Sequence, residues 1–502
     1  MIPLSFFSFS VFSDNMLLLL SLLVFVSLLI TKIGYKFGMP LLLLFLIVGM
    51  LAGEDVLGLK FDSFEMAQSL GQFAITIILL TGGLETDIKR IRPVMVQGVL
   101  LSTLGVLLTI AFTAAFIYFS SRSMVGSATA SLLGCILLAS VMASTDSASV
   151  FSILRDSKIK LKENLGPVLE LESGSNDPMA YVMTILMVTM ITKLQGAGLD
   201  SSSISAGAMI WEGARMLLMQ IIIGFLVGYL TGRAAVWLLH NVQLNGSPLY
   251  SIMILTIGFF TNGIASIVGG NGLLALYVAA VIMGNQKGLP YRKDVLKFLD
   301  GVTWIAQLMM FLMLGLLATP SEMPSAIVPA LLIGGFMMLV ARPLSVFICL
   351  APFRKMSFRA KLFTSWVGLK GAGPILFAIA PVVAGIEGSE SIFNVVFVIT
   401  LLSLLIQGMT LTSSAKLLKL NDVDEAPPET FGMELPDEMG KLTDYTLKAS
   451  DLEYGSTLRD LQMPHGTRVM MIKRGEEFVV PHGSLKLYPG DHLVILLGGS
   501  ID

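Results

Sequence analysis

Apolar runs long enough to cross about 30 Å of hydrocarbon recur along most of this chain and predict thirteen helices. Their expected limits are 16–33, 39–53, 66–84, 93–119, 127–153, 164–191, 208–236, 248–267, 270–286, 298–318, 325–350, 360–385 and 391–413. After Leu420 the pattern changes. The stretch 421–437, with Asp422, Asp424, Glu425, Pro427 and Pro428, reads as a linker. Beyond it, short alternating runs at 467–472, 477–480 and 492–497 are separated by turns at Arg474-Gly475, Pro481-His482-Gly483 and Pro489-Gly490-Asp491. These runs read as strands. The expected organisation is a membrane domain over 1–420, a linker over 421–437 and a small cytoplasmic α+β domain over 438–502. The chain stops directly after its last strand, which suggests a truncated end or a further domain.

Three of the apolar runs contain polar residues that lipid would reject. The sixth carries Glu172-Ser173-Gly174-Ser175-Asn176-Asp177. A carboxylate near the bilayer centre costs roughly 2.5–3.5 kcal/mol on insertion scales. Residues 172, 173, 176 and 177 share one side of a helix, so this stripe must face protein, water or an ion. The fifth run has four hydroxyls and a carboxylate at mid-span, in Ala143-Ser144-Thr145-Asp146-Ser147-Ala148-Ser149. Hydroxyls alone would be packing glue; with Asp146 the stretch predicts an unwound helix lining a cavity. The twelfth run holds Gly368-Leu369-Lys370-Gly371-Ala372-Gly373-Pro374. Glycine and proline free backbone groups there, and Lys370 is placed to neutralise the C-terminal dipole of a half-helix. A lysine snorkelling to the interface is the plainer alternative. Arg342, before Pro343 in the eleventh run, needs a buried carboxylate, and Glu172 is the candidate. Glu85 and Asp87 close the third run at the rim, and Arg215 reads as structural.

Charge fixes the orientation. Only 14% of the 502 residues are charged and 54% are hydrophobic, against about 25% charged in a soluble domain. One set of alternate loops collects the basic residues, from Lys32 and Lys36 through Arg155–Lys162 to Lys416 and Lys419. By the positive-inside rule that set is cytoplasmic, so the N-terminus is expected outside and the C-terminus inside. Net charge of −2 gives no reason to expect nucleic acid. Cys135 and Cys349 lie in apolar runs and read as small buried hydrophobes; the four histidines lack metal-ligand spacing. There is no Walker A pattern and no Thr-Val-Gly-Tyr-Gly filter, which argues against an ATP-driven pump and a potassium channel of that type.

Interrupted helices at matching places in two halves are the mark of an inverted-repeat transporter. Helices one to six and eight to thirteen make the halves, pairing the fifth with the twelfth. The predicted fold is a polytopic α-helical membrane protein of thirteen transmembrane helices as 6+6 inverted repeats, with two interrupted crossing helices and a small cytoplasmic domain.

With Thr145-Asp146, Glu172-Ser173 before Asn176-Asp177, Arg342, Gly368-Leu369-Lys370-Gly371 and Gly269-Gly270-Asn271-Gly272, the chain resembles the NhaP-type monovalent cation/proton antiporters over about residues 16–415. The resemblance implies that Asp177 exchanges a cation for a proton. It implies that Thr145, Asp146, Glu172 and Ser173 surround the ion, with Asp177, Ser173 and Thr145 as direct ligands of a monovalent cation. Asn176, in place of a second aspartate, goes with electroneutral one-for-one exchange, and Arg342 pairs with Glu172. Two departures stand out. Ser147 replaces the usual proline after Thr-Asp, and Lys370 replaces the usual arginine, losing its bidentate fork. The tail, with Leu458-Arg459-Asp460-Leu461, Ile472-Lys473-Arg474-Gly475 and Pro489-Gly490-Asp491, resembles the C-terminal half of the regulator-of-potassium-conductance module. That implies control by a nucleotide or another small ligand and leans the cargo towards K⁺, with Na⁺ as the alternative.

The expected activity is therefore exchange of K⁺ or Na⁺ for H⁺ by alternating access, with competition at Asp177. No enzymatic activity and no resident cofactor are expected. The expected setting is a bacterial inner membrane, and a homodimer is implied by the family. The rivals are a ligand-gated cation channel and, more weakly, a membrane aspartyl protease using Asp146 and Asp177.

Overall fold

The computed structural model describes residues 16–37, 40–121, 125–126, 129, 131–157, 159–196, 206–286, 289–422, 441–447, 449–452, 455–461, 467–474 and 477–497. The expected linker from 423 onward, together with Arg122, Lys158, Lys287 and Gly475, lies outside the described residues. The chain divides into two compact units, Met1–Asn421 and Asp422–Asp502.

The first unit is helical. In order it contains α1 (Met16–Phe37), α2 (Leu41–Ala52), α3 (Phe64–Glu85) and α4 (Ile88–Ser120), then α5 (Leu132–Val141), α6 (Ser147–Asp156) and α7 (Leu165–Gly196). Next come α8 (Ala206–Asn241), α9 (Ser247–Ile267), α10 (Gly272–Gly284), α11 (Arg292–Leu316) and α12 (Met323–Leu350), then α13 (Phe358–Trp366), α14 (Ala372–Val383) and α15 (Ser389–Leu417). Among the described residues, eight helices are long and apolar enough to cross a membrane. Five further apolar helices are 10–17 residues long: Ser21–Ile30 within α1, and α2, α5, α10 and α14.

The two spans expected to be interrupted are broken pairs. The run 127–153 becomes α5 and α6, with non-helical backbone over 144–146. The run 360–385 becomes α13 and α14, with 368–371 between them. Each break has a local cause. Asp146 caps α6 by accepting from the Ser149 N–H at 3.0 Å, the geometry that makes aspartate a helix starter. Pro374 stands in the first turn of α14, where a missing N–H costs nothing. Wide single turns interrupt α4 at 101–105 and 117–121, α12 at 337–341 and α15 at 404–408. Hydropathy is blind to these turns, because they change backbone bonding and leave side-chain polarity untouched.

The helices sort into two layers. One holds α1, α2, α3, α8, α9, α10 and α11; the other holds α4, α5, α6, α7, α12, α13, α14 and α15. The first layer is drawn together by glycine. Gly224, Gly228 and Gly232 lie one turn apart on α8, facing Asn271, Ala275 and Ala279 of α10 or just before it. A methyl added at Gly228 would run into the Ala275 backbone. Small residues at such spacing let backbones touch, which is how helices gain dispersion contact where lipid offers no hydrophobic drive.

The second unit is a four-stranded antiparallel sheet. Its strands β1 (Lys441–Thr446), β2 (Thr467–Arg474), β3 (Glu477–Val479) and β4 (His492–Leu497) are ordered β1-β4-β2-β3. β1 is an addition to the three strands read from sequence; its residues Lys441-Leu442-Thr443-Asp444-Tyr445-Thr446 are too polar to stand out, and it sits at a sheet edge. Ile472, Leu487 and Leu493 form the small core. Arg474 clamps Asp491 through two bonds, at 2.9 and 2.8 Å, and lies over the Tyr488 ring. The bonds from Arg474 hold the Asp491 carboxyl below its usual range, helped by the Tyr488 N–H.

Two outcomes follow from this packing. Gly228→Val should lower the melting temperature in detergent, at a cost of about 1–3 kcal/mol for an overpacked contact, whereas Gly301→Ala, with open space around its Cβ, should not. For the sheet unit, a lowered folded value means that the Asp491 contribution is present above about pH 4 and is lost as pH falls through the lowered value. Melting followed by a fluorophore at Met470→Cys should separate Asp491→Asn from the unsubstituted chain at pH 7 and bring the two together in strong acid.

Candidate functional site

The two breaks cross against each other. The Asp146 N–H donates to the Leu369 carbonyl at 2.8 Å, and the Lys370 ammonium donates to the Ser144 carbonyl at 2.8 Å. The Lys370 N–H donates to Ser403 Oγ at 2.9 Å, and Gln407 closes the Trp366 carbonyl at the end of α13. In a membrane interior an unpaired backbone group costs several kcal/mol, and these bonds meet that demand.

Electrostatics follow the same plan. α5 and α13 end at the crossing with their carbonyls exposed, the negative pole of each half-helix. Lys370, buried at 3% exposure, answers the α5 end. α6 and α14 begin there with their N–H groups, the positive poles. Asp146 caps α6, and a methyl at Gly371 would strike its carboxylate. That carboxylate therefore also lies against the start of α14.

α7 passes beside this crossing and supplies the polar stripe. Ser144 donates its hydroxyl to Asp177 Oδ1, and Asn176 Nδ2 donates to Thr145 Oγ1. The Ser173 hydroxyl donates to the Thr145 carbonyl at 2.6 Å. A methyl at Gly373 would come within 3.8 Å of Asp177 Oδ1, so the first turn of α14 also approaches this carboxylate. Asn176 Oδ1 is buried and accepts no hydrogen bond, leaving a carbonyl oxygen free beside Asp177.

Glu172 takes a different position. Its Oε1 accepts from Arg342 Nη2, and both groups are buried. A methyl at Gly368 would sit 3.0 Å from Arg342 Nε, which places the guanidinium under the second break. The structure thus brings Asp177, Asn176, Ser173, Thr145, Asp146 and Lys370 together at the crossing. It sets Glu172 and Arg342 alongside as an ion pair, with no hydrogen bond from Glu172 to Asp177 among the described residues. Ser144, which touches Asp177 directly, was visible in sequence only as one hydroxyl among several. Arg215 pairs with Glu212 on the surface at 3.1 Å.

Crossed, charge-compensated helix breaks beside a half-buried carboxylate define a membrane transporter for small ions. The chain belongs to the sodium/hydrogen exchanger transmembrane family, whose profile matches residues 19–416, and it carries a TrkA-C domain at 443–498. It is 36% identical to the K(+)/H(+) antiporter NhaP2 of Shewanella oneidensis, over 96% of this chain and 81% of that protein. Against the K(+)/H(+) antiporter NhaP of Alkalimonas amylolytica it is 34% identical, over 96% and 80%. The Na(+)/H(+) antiporter NhaG of Bacillus atrophaeus is 28% identical, over 58% and 54%. The solved structure of the sodium proton antiporter MjNhaP1 from Methanocaldococcus jannaschii superposes with a TM-score of 0.63 at 22% identity. It covers 78% of this chain and 97% of that one, and it establishes the likeness of fold.

The ion pair gives a stability test. Arg342→Ala strands a buried carboxylate and should cost about 3–5 kcal/mol, while removing both charges in Arg342→Met with Glu172→Gln should recover much of it. Melting of purified protein reads both; equal losses in the single and double variants would show that Glu172 has another partner.

Proposed function

We propose that this protein exchanges K⁺ for H⁺ across the membrane, one for one, by alternating access with both ions competing for Asp177. The observation that carries the reading is the charge count of the buried site. Three carboxylates, Asp146, Glu172 and Asp177, stand with two basic groups, Arg342 and Lys370. One negative charge is left over. A single proton or a single monovalent cation completes neutrality, and the two together would overshoot it. Uncompensated charge in a low-dielectric site is costly, so loading by one ion opposes the other.

The ligand set suits an alkali cation. Asp177, the Ser144, Thr145 and Ser173 hydroxyls and the free Asn176 Oδ1 are hard oxygen donors. Asp146 and Lys370 hold the crossing together, and the Glu172–Arg342 pair braces α7 beneath it. The preference for K⁺ over Na⁺ draws on the K(+)/H(+) antiporters matched over nearly the whole chain; the Na(+)/H(+) relative matches little more than half of it.

The remaining architecture belongs to the same proposal. Eight long and five short apolar helices are consistent with thirteen crossings arranged as two inverted six-helix halves, in which the two broken helices are counterparts. Basic loops place the N-terminus outside and the C-terminus in the cytoplasm of a bacterial inner membrane. The TrkA-C domain supports control by a small ligand, and the working unit is a homodimer.

The test is dissipation of an imposed pH gradient in everted membrane vesicles on adding K⁺ or Na⁺. K⁺ should collapse the gradient independently of membrane potential, and Asp177→Asn should reduce the signal to that of vesicles lacking the protein. Robust exchange by folded Asp177→Asn would remove Asp177 from its role. Passive cation flux without proton movement would place the protein among channels.

A further inference from the structure

The motif Gly269-Gly270-Asn271-Gly272 takes no part in the ion site, yet it is built with unusual constraint. Gly269 has φ of +85°, a left-handed conformation that favours glycine. A methyl at Gly270 would meet the backbone of α8, and one at Gly272 would strike the side chains of Asn262 and Ser266. These glycines hold Asn271 in a buried slot at 4% exposure.

Every polar group of Asn271 is used. Its N–H donates to the Gln220 carbonyl of α8 at 3.0 Å, and its Oδ1 caps α10 by accepting from the Leu274 N–H at 3.1 Å. Its Nδ2 reaches across to α7 and donates to the Pro178 carbonyl at 2.8 Å. Pro178 adjoins Asp177 and, lacking an N–H, leaves the Gly174 carbonyl without its helical donor. The Asp177 turn is therefore a weak point of α7. On its other side, Tyr277 of α10 lies against Gly174, where a methyl would come 2.8 Å from the ring and the hydroxyl. Asn271 at the N-cap of α10 and Tyr277 within it, six apart, thus meet α7 at 178 and at 174, on either side of Asp177.

We propose that Asn271 and Tyr277 form a two-point clasp that positions the Asp177 turn against the α8–α10 layer, and that the clasp opens when the site changes sides. α7 belongs to one layer and α10 to the other, so relative motion of the layers must break the Asn271–Pro178 bond. A second bond between the layers, from Gln72 to the Tyr181 hydroxyl at 3.3 Å, lies one turn farther along α7. Beside it is a cavity of about 220 Å³ between the layers, lined by Gln68, Gln72, Tyr181, Asn262, Leu376 and Ala380. The cavity and the clasp occur together in this structure, and in the proposed scheme opening the clasp removes the cavity. Asn271 is a positioning residue in this scheme: it acts on Asp177 through the carbonyl of Pro178 and touches no ion.

The proposal rests on the alternating-access reading, and its test does not require transport. In a chain with Cys135 and Cys349 replaced by serine, Ala380→Cys is labelled with a polar maleimide. Asn271→Ser retains an N-cap but is too short to reach Pro178. Labelling should slow roughly two- to tenfold, the range expected for one net hydrogen bond, with the melting temperature held. Gly174→Ala pushes Tyr277 away from the other side and should slow labelling in the same sense. It also serves as the deciding variant if Asn271→Ser does not fold. Unchanged or faster labelling in folded protein overturns the clasp, as does slowing that only tracks lost thermal stability. Failure of Asp177→Asn to abolish exchange would instead count against the transport reading, so the two failures are distinguishable.

Discussion

Everything in the membrane unit depends on how four backbone ends are satisfied where two helices break inside an apolar environment. Breaking a helix exposes carbonyls on one side and N–H groups on the other, and lipid offers no water to bond them. Crossing two breaks lets each supply what the other lacks. The Leu369 carbonyl takes the Asp146 N–H, Lys370 reaches the Ser144 carbonyl, and Ser403 and Gln407 close the ends of the second break. The chemistry of the site follows from that structural solution. Charges introduced to settle helix poles also set the electrostatics of the crossing.

This arrangement explains why the carboxylates differ in position. Asp146 is engaged by the starts of α6 and α14, and Glu172 by Arg342. Asp177 receives a hydroxyl from Ser144 and remains partly exposed. Glu172 accepts from a guanidinium, whereas the hydrogen bond to Asp177 comes from a neutral hydroxyl.

The layers carry different burdens. Glycine contacts between α8 and α10 make a close-packed support, while the layer containing α5, α6, α7, α13 and α14 holds polar groups in irregular backbone. The wide turns in α4, α12 and α15 fall in that second layer. One of them ends at Ala341, directly before Arg342 and Pro343.

Much was legible in the order of residues alone. Apolar length marks out the spans because hydrocarbon thickness is fixed. A charged side chain in an apolar run is conspicuous because its insertion cost is large, so Glu172, Asp177, Asp146 and Lys370 stood out at once. Other features depend on partners distant in sequence. The pairing of Asp146 with Leu369, the hydroxyl of Ser144 on Asp177 and the reach of Asn271 to Pro178 join positions 33 to 223 residues apart. The wide turns and the edge strand at 441–446 leave no hydropathy signal. Sequence determined where polarity had to be accommodated, because transfer energies act residue by residue. Only the tertiary structure decided which oxygen faces which charge, because hydrogen bonds are set by positions that separate helices reach when they pack.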